Sequence, residues 1–231
     1  MDYTIENELL KVTVSSRGAE LQSVIGKHIG NEYIWQADPE VWGRHAPVLF
    51  PIVGKLKNDE YSYQGQTYHM GQHGFARNME FDLEEQTKEK LTFLLTDTEE
   101  TRAVYPFKFE FRVSYELLNN MIKESFHVTN KGEGDMIFGV GGHPGFALPV
   151  FRHAFHIEQR LAQLQHGASA LVVQVGSHAA DLTLAIDFAP AGARGNHGQQ
   201  LRTADCVVDL AGIALGAGCL IERIVALRET E

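Results

Sequence analysis

The chain has few of the features that mark secreted, metal-bound or membrane proteins. Only two cysteines, Cys206 and Cys219, occur in 231 residues. They form neither a disulfide framework nor the paired spacing of a zinc site. No apolar run approaches the length of a membrane span. The N-terminal segment MDYTIENELLKVTV lacks the basic region, apolar core and cleavage site of a signal peptide. We therefore expect a cytoplasmic protein with no membrane partner.

Positive charge is also scarce. The chain has 20 Lys and Arg against 30 Asp and Glu, for a formal charge of −10. Because binding to nucleic acid needs a basic surface, we expect no nucleic-acid partner. The balance suits a ligand that is neutral or is held by a few local cations. The sequence leaves the oligomeric state open.

Long amphipathic helical patterns are missing, and apolar residues instead alternate with polar ones. Residues 107–117 (FKFEFRVSYEL) alternate throughout, which predicts a long strand with one buried face. Residues 10–14, 91–95 and 122–128 have the same pattern, and Gln64-Gly65 predicts the turn of a short hairpin. We predict an antiparallel all-β fold, a large β-sandwich.

The composition changes near Val150. Residues 151–231 contain no Lys, Tyr or Trp, and they hold fifteen Ala against six in residues 1–150. Three explanations stay open: a second domain, a divergent half of one sandwich, or a coding irregularity such as a frameshift. We take the second as our prediction, with residues 1–231 forming a single domain. Residues 182–188 alternate like a strand, and residues 188–200 resemble a loop.

A polar cluster between Arg44 and Arg77 contains the first candidate site residues. His73 precedes a glycine and lies four residues before Arg77, and Lys55 follows another glycine. His73 is either a loop histidine bonded to a nearby carbonyl, or a neutral imidazole directed into a pocket beside Arg77 or Lys55. His69 and His73 have the spacing of metal ligands, but no third ligand stands at a supporting spacing, so we expect no metal.

A second candidate, His143, lies in the segment GVGGHPGFALP (residues 139–149). The following proline disfavours helical geometry at His143. The surrounding glycines either form a tight corner or let the backbone approach a ligand. Histidine is the usual proton donor near neutral pH, which makes the second interpretation chemically attractive.

The segments HAPVLFPIVGKLKNDEYSYQGQTYHMGQHGFAR, YPFKFEFRVSYEL, HVTNKG and FGVGGHPGFALP together resemble the aldose 1-epimerase (galactose mutarotase-like) superfamily. The likeness is to its short bacterial branch, which includes lactose-operon-associated relatives. It implies a β-supersandwich with a sugar cleft and exchange of the α and β anomers of an aldose, without cofactor or metal. After about residue 149 the likeness is weak, so residues 151–231 are divergent or shortened relative to the family.

Residue by residue, the resemblance gives His143 the role of general acid toward the ring oxygen. His73 matches a histidine that holds the sugar near that oxygen. Arg77 matches a branch-specific arginine expected to bind hydroxyls or a phosphate. Lys55 stands where relatives usually have arginine, so the bidentate guanidinium is replaced by a point charge.

The general base is the least well matched position. Relatives have it in a segment like CIEPWYG, and this chain has Cys219-Leu-Ile-Glu222 without the following proline, tryptophan and glycine. Glu222 is our candidate, and Glu124, on the apolar face of a predicted strand, is the alternative. Two functions stay open: an aldose 1-epimerase acting on a hexose or hexose phosphate, and a non-catalytic carbohydrate-binding or sensing protein that has lost the base.

Overall fold

The computed structural model describes residues 1–147 and the backbone of four later strands. Within these residues the chain consists mostly of antiparallel strands with few helices, which confirms the predicted all-β class. One short α-helix, α1 (Glu99–Val104), and two 3-10 turns, Lys57–Asp59 and Ala76–Asn78, join the strands. The described residues include no helix of the length and apolarity needed to span a membrane.

The strands form three larger sheets and one isolated hairpin. The first sheet has the order β1-β2-β3-β4: β1 Asp2–Glu6, β2 Leu10–Ser15, β3 Glu20–Gly26 and β4 Asn31–Glu32. The third has the order β16-β13-β12-β5: β5 Val48–Leu49, β12 Met136–Gly142, β13 Ser169–Val175 and β16 Ile224–Ala226. In this sheet β13 and β16 are parallel. The hairpin pairs β6 (Glu60–Tyr63) with β7 (Gln66–His69) around Gln64 and Gly65, where the sequence predicts the turn.

The second sheet has six strands in the order β15-β14-β11-β10-β9-β8. Its members are β8 Asp82–Gln86, β9 Lys90–Thr96, β10 Phe109–Leu118, β11 Met121–Asn130, β14 Ala180–Asp187 and β15 Cys206–Val207. β10 buries alternate residues from Phe109 to Leu117, whereas the intervening residues are partly exposed. The predicted strand is therefore confirmed, with its start two residues later than the alternation indicates.

Aromatic side chains fill the core beneath these sheets. Phe50 is fully buried and stacks on Phe111 with ring centroids 4.5 Å apart. Phe109 and Phe138 approach the same ring at 5.2 and 5.8 Å. Burial of each such ring stabilises the fold by about 1.5–3 kcal/mol. Phe50 immediately follows β5, so the segments on either side of it are fixed against the core.

β14 joins the later part of the chain to the second, six-stranded sheet, which we call the central sheet. It pairs with β11 in antiparallel register, from Met121 opposite Asp187 to Val128 opposite Ala180. The alternation of residues 182–188 thus predicts a strand that the structure contains up to Asp187. The predicted loop at 188–200 lies outside the described residues. The single-domain organisation of residues 1–231 stays a prediction.

Candidate functional site

His73 lies in a tight loop that packs against the core beside Phe50. Its backbone N–H donates to the carbonyl of Gly54 over 2.9 Å, and its Nδ1 donates to the carbonyl of Val53. Because a carbonyl can only accept, the Nδ1 atom carries the hydrogen. In the neutral imidazole the Nε2 atom is then an acceptor that can also take up a proton.

The next residue, Gly74, explains why this loop contains glycine. Its φ is +69°, and a Cβ atom there would lie 2.3 Å from the carbonyl oxygen of Phe50. His73 also adopts a left-handed conformation, with φ of 69°, which costs a non-glycine residue about 1–2 kcal/mol. The hydrogen bonds of His73 and its packing hold this conformation in place.

His143 follows the last residue of β12. The Gly142 end of β12 pairs with β5 at Val48, and the N–H of His143 donates to the carbonyl of Pro47 over 3.0 Å. The N–H of Gly145 donates to the backbone carbonyl of His45 over 2.8 Å. The histidine backbone is therefore tied to the segment before β5 on both sides of Pro144.

The fold brings His73 and His143 together, although 69 positions separate them in the sequence. Their ring centroids are 6.3 Å apart, and both side chains are partly exposed. Two imidazoles at this distance can contact adjacent oxygen atoms of one small polar ligand, since each ring nitrogen donates or accepts a hydrogen bond. The carbonyl bond of the first interpretation of His73 is present, and the pocket beside Arg77 or Lys55 stays a prediction.

Trp42 is a neighbour of the pair that sequence reasoning missed. Its ring lies edge-on to His143, with centroids 5.1 Å apart. The indole N–H of Trp35 donates to the Trp42 carbonyl over 2.8 Å. A Cβ atom at Gly145 would come within 2.8 Å of the Trp42 ring, so glycine is needed there. The available signal was that both tryptophans of the chain lie within eight residues, directly before the polar cluster.

Arg77 lies in the 3-10 turn that follows the His73 loop. Its Nη2 donates to the carbonyl of Gln72 over 3.0 Å, and its Nε is buried with no hydrogen-bond partner among the described residues. Burial lowers the pKa of Arg77, as does repulsion from Arg44, whereas Glu20 opposes the shift. The unsatisfied Nε is a donor that an oxygen-rich ligand or ordered water would satisfy.

The buried carboxylate of Glu20 binds backbone and side-chain groups near both histidine loops. Glu20 accepts hydrogen bonds from the N–H groups of His45 and Ala46, over 2.9 and 3.0 Å. Its other oxygen lies 3.7 Å from Arg44. Arg44 also donates to the carbonyl of Arg77 over 3.0 Å. This ionic and hydrogen-bonded network joins the two loops that bear the histidines.

No contact with the histidine pair is established for the other predicted residues. Lys55 follows Gly54 beside the His73 loop, but its Nζ lies 3.7 Å from Asp59 and its side chain is 60% exposed. Glu222 lies outside the described residues. The alternative base, Glu124, is buried on β11, where its Oε1 lies 2.8 Å from the Tyr115 hydroxyl oxygen.

The all-β architecture is that of galactose mutarotase-like proteins. The family model described as Aldose 1-epimerase matches residues 1–186. This chain therefore belongs to the aldose 1-epimerase family.

Relatives from lactic acid bacteria match about two thirds of the chain. A galactose mutarotase related enzyme from Lactobacillus acidophilus is 66% identical with a TM-score of 0.66, covering 67% of this chain and 51% of that one. A galactose mutarotase-like protein from Lactobacillus casei is 39% identical with a TM-score of 0.63, covering 65% and 51%. The plasmid-encoded protein LacX of Lactococcus lactis is 40% identical over 156 residues, 65% of this chain and 52% of LacX. The chain thus spans about half the length of the curated relatives that it matches.

Proposed function

We propose that this chain is an aldose 1-epimerase that interconverts the α and β anomers of a hexose or hexose phosphate. The observation that carries the proposal is the pair formed by His73 and His143, whose rings lie 6.3 Å apart. Membership of the aldose 1-epimerase family supports it, as do structural relatives described as galactose mutarotase related or mutarotase-like.

In the proposed reaction His143 is the general acid. A base removes the proton of the C1 hydroxyl, the C1=O bond forms, and the bond between C1 and the ring oxygen breaks. The ring oxygen takes the proton of His143 at the same time. The open-chain aldehyde rotates about its C1–C2 bond, and closure reverses both proton transfers. The sequence is redox-neutral and regenerates both protein groups.

The other residues of the proposal hold the sugar. The Nε2 atom of His73 contacts an oxygen near the ring oxygen, because Nδ1 is engaged with Val53. Arg77 supplies the unsatisfied Nε donor to a hydroxyl or phosphate, and Lys55 contributes an exposed cation that is suited to a distal or phosphorylated group.

Glu222 remains the proposed base, on the resemblance alone. The geometry of Glu124 favours a structural role, since a Cβ atom at Gly142 would lie 3.4 Å from its Oε2 atom. Successive residues of an extended chain point to opposite faces, so the side chain after Gly142 is expected to leave the face away from Glu124.

The test is the rate of anomer equilibration. We expect the protein to accelerate the conversion of pure α-glucose, α-galactose or a hexose 6-phosphate, followed by polarimetry or by proton NMR of the anomeric signals. His143→Ala should lose roughly 10²- to 10⁴-fold in kcat, the usual contribution of a positioned proton donor. His69→Ala is the matched control, because His69 lies on the exposed β6–β7 hairpin beside Glu60.

The competing function is a carbohydrate-binding or sensing protein without catalysis. The weak likeness around Glu222 favours it, because Cys219-Leu-Ile-Glu222 lacks the proline, tryptophan and glycine that follow the family base. Sugar binding by calorimetry with no acceleration of anomer exchange would establish this alternative. Full activity of His143→Ala would instead remove His143 from the mechanism.

A further inference from the structure

A carboxylic side chain is enclosed in the core beneath the His143 loop. Glu124 is 6% exposed on β11 and lies opposite Tyr115 of β10. The Tyr115 hydroxyl is its only hydrogen-bond partner among the described residues, and no cation of that part of the chain is paired with it. An ionised carboxylate without a cation is costly in such an environment.

The two contacts of the Tyr115 hydroxyl need two hydrogens, one from Tyr115 itself and one from Glu124. An ionised Glu124 has no hydrogen to supply. The Tyr115 hydroxyl oxygen lies 2.8 Å from Glu124 Oε1 and 2.7 Å from the carbonyl oxygen of Ala19. A phenol has a single hydrogen, so it cannot donate to a carboxylate and a carbonyl together. Both contacts become hydrogen bonds only if a protonated Glu124 donates to the Tyr115 oxygen while Tyr115 donates to Ala19.

The surroundings of Glu124 also favour its neutral form. Burial raises the pKa of Glu124 from its ordinary 4.5 to about 7, and the hydrogen bond from Tyr115 opposes this shift. Tyr115 is the titratable group that faces it from β10, and Glu20 in turn raises the pKa of Tyr115. β12 presents the backbone of Gly142, and on β14 the position opposite Glu124 in register is Leu184.

The Ala19 carbonyl connects this pair to the loops of the candidate site. Ala19 has a left-handed φ of 47°, which disfavours a non-glycine residue, and its hydrogen bond from Tyr115 stabilises the turn. The next residue, Glu20, holds the N–H groups of His45 and Ala46.

From that segment the connection continues to the acid loop. The carbonyl of Pro47 accepts the N–H of His143, and the carbonyl of His45 accepts that of Gly145. Glu124 also lies close to Gly142, the residue before His143, since a Cβ atom there would be 3.4 Å from its Oε2. Gain or loss of the Glu124 proton can therefore affect the backbone around His143 in two ways, through the Tyr115–Ala19 hydrogen bond and through Gly142.

We propose that Glu124 is a buried carboxylic acid that is protonated in the folded protein, and that its proton fixes the Ala19–Glu20 turn, which supports the His143 loop. Glu124 is thus a positioning residue that does not touch the ligand. On ionisation Tyr115 turns its hydrogen to the carboxylate, and the Ala19 carbonyl loses its donor. The proposal stands independently of whether the protein catalyses mutarotation.

The first test is the pH dependence of stability. The folded protein binds the Glu124 proton more tightly than the unfolded chain, so the contribution of Glu124 to stability is full below about pH 4.5 and falls as pH rises through 7. Denaturant unfolding of the wild type should show this fall, worth up to about two orders of magnitude in the folding equilibrium constant. Glu124→Gln should lack that part, because its amide donates to Tyr115 at every pH.

The matched control is Glu116→Gln, which removes a partly exposed carboxylate from β10, 3.7 Å from Lys123. It should keep the wild-type dependence. If Glu124→Gln has the same dependence as the wild type, the proton assignment is wrong. Carbon-13 NMR of glutamate-labelled wild type gives the assignment without any variant: one carboxyl should titrate near pH 7, and ordinary titration of every glutamate would overturn the proposal.

The second test addresses the link to the loop. Hydrogen exchange at the amides of His45, Ala46 and His143, corrected for intrinsic rates, should accelerate in the wild type as pH rises through 7. Glu124→Gln should remain protected, and Tyr115→Phe should exchange faster at every pH because Ala19 loses its donor. Equal protection of these amides in all three proteins would disprove the positioning role.

Discussion

In the imidazole of His73, Nδ1 is bonded to the protein, which leaves Nε2 as the atom available to a ligand. This assignment predicts the effect of replacing His73. With Nδ1 bonded to Val53, Nε2 makes a single hydrogen bond to the sugar in the proposed complex. A hydrogen bond between neutral groups contributes about 0.5–1.5 kcal/mol. His73→Ala should therefore raise KM by roughly 3- to 10-fold with a smaller change in kcat.

Initial rates of anomer exchange over a range of sugar concentrations separate the two constants. His69→Ala again serves as the control, since His69 lies on the exposed β6–β7 hairpin beside Glu60. A variant with normal KM and a kcat reduced as far as that of His143→Ala would make His73 a proton-transfer group and contradict its role in holding the sugar.

Some residues of the site can be predicted from the sequence and others cannot. His73 and His143 stand beside glycine and proline, and a titratable group in such loops is a visible candidate. Trp42 and Glu20 are not visible in this way, because their importance arises from contacts across the fold: the ring of His143 for Trp42 and the amides of His45 and Ala46 for Glu20. The burial of Glu124 follows from alternation along β11, but its contact with Tyr115 depends on strand register.

The loop that bears His73 is an element whose shape depends on one glycine. In Gly74→Ala the methyl group would meet the Phe50 carbonyl at 2.3 Å, in a backbone region that alanine avoids. We expect a loss of at least about 2 kcal/mol in the free energy of unfolding. Displacement of His73 should also reduce sugar affinity. Denaturant unfolding and sugar titration measure the two effects.

Gly71→Ala is the matched control in the same loop. A Cβ atom at Gly71 has no neighbour within 4 Å, so this variant should unfold within about 0.5 kcal/mol of the wild type. Equal stability of both variants would show that the loop yields at Gly74, and that His73 is held by its own hydrogen bonds alone.

Strands were more predictable than their arrangement. Alternation of apolar and polar residues identifies β2, β9, β10 and β11, because each buries mostly one face and alternation is the direct consequence. The same alternation predicts β14. β5 has only two residues, both buried, so it has no period to detect. Yet β5 and the residues flanking it, Pro47 and Phe50, position both histidine loops. Short buried segments of this kind are defined by tertiary contacts.

At the level of the whole molecule, the candidate site draws on segments that are distant in the chain. Residues 35–45 contribute the tryptophans and Arg44, residues 53–77 the His73 loop, and residues 142–145 the His143 loop. All of them are hydrogen-bonded to β5, to the residues flanking it or to Glu20. The site therefore forms only when these segments have packed together.

The central sheet extends this dependence to the later part of the chain. β11 bears Glu124 and pairs with β14 over eight residues, from Met121–Asp187 to Val128–Ala180. If residues 1–231 form one domain, the amides of β14 are protected by the same cooperative unfolding as those of β10 and β11. Hydrogen exchange measured by mass spectrometry should therefore give residues 180–187 protection comparable to residues 109–130.

The same experiment addresses the change of composition after Val150, because exchange is measured on peptides that are first identified by mass. Peptides of the natural protein matching residues 151–231, with slow exchange at 180–187, would support a divergent half of one sandwich. Fast exchange at 180–187 beside a protected β11 would separate the later segment from the domain. Peptide masses that depart from the sequence after residue 150 would point to a coding irregularity and withdraw Glu222 as the base, while His73, His143 and the Glu124–Tyr115 pair keep their contacts within residues 1–147.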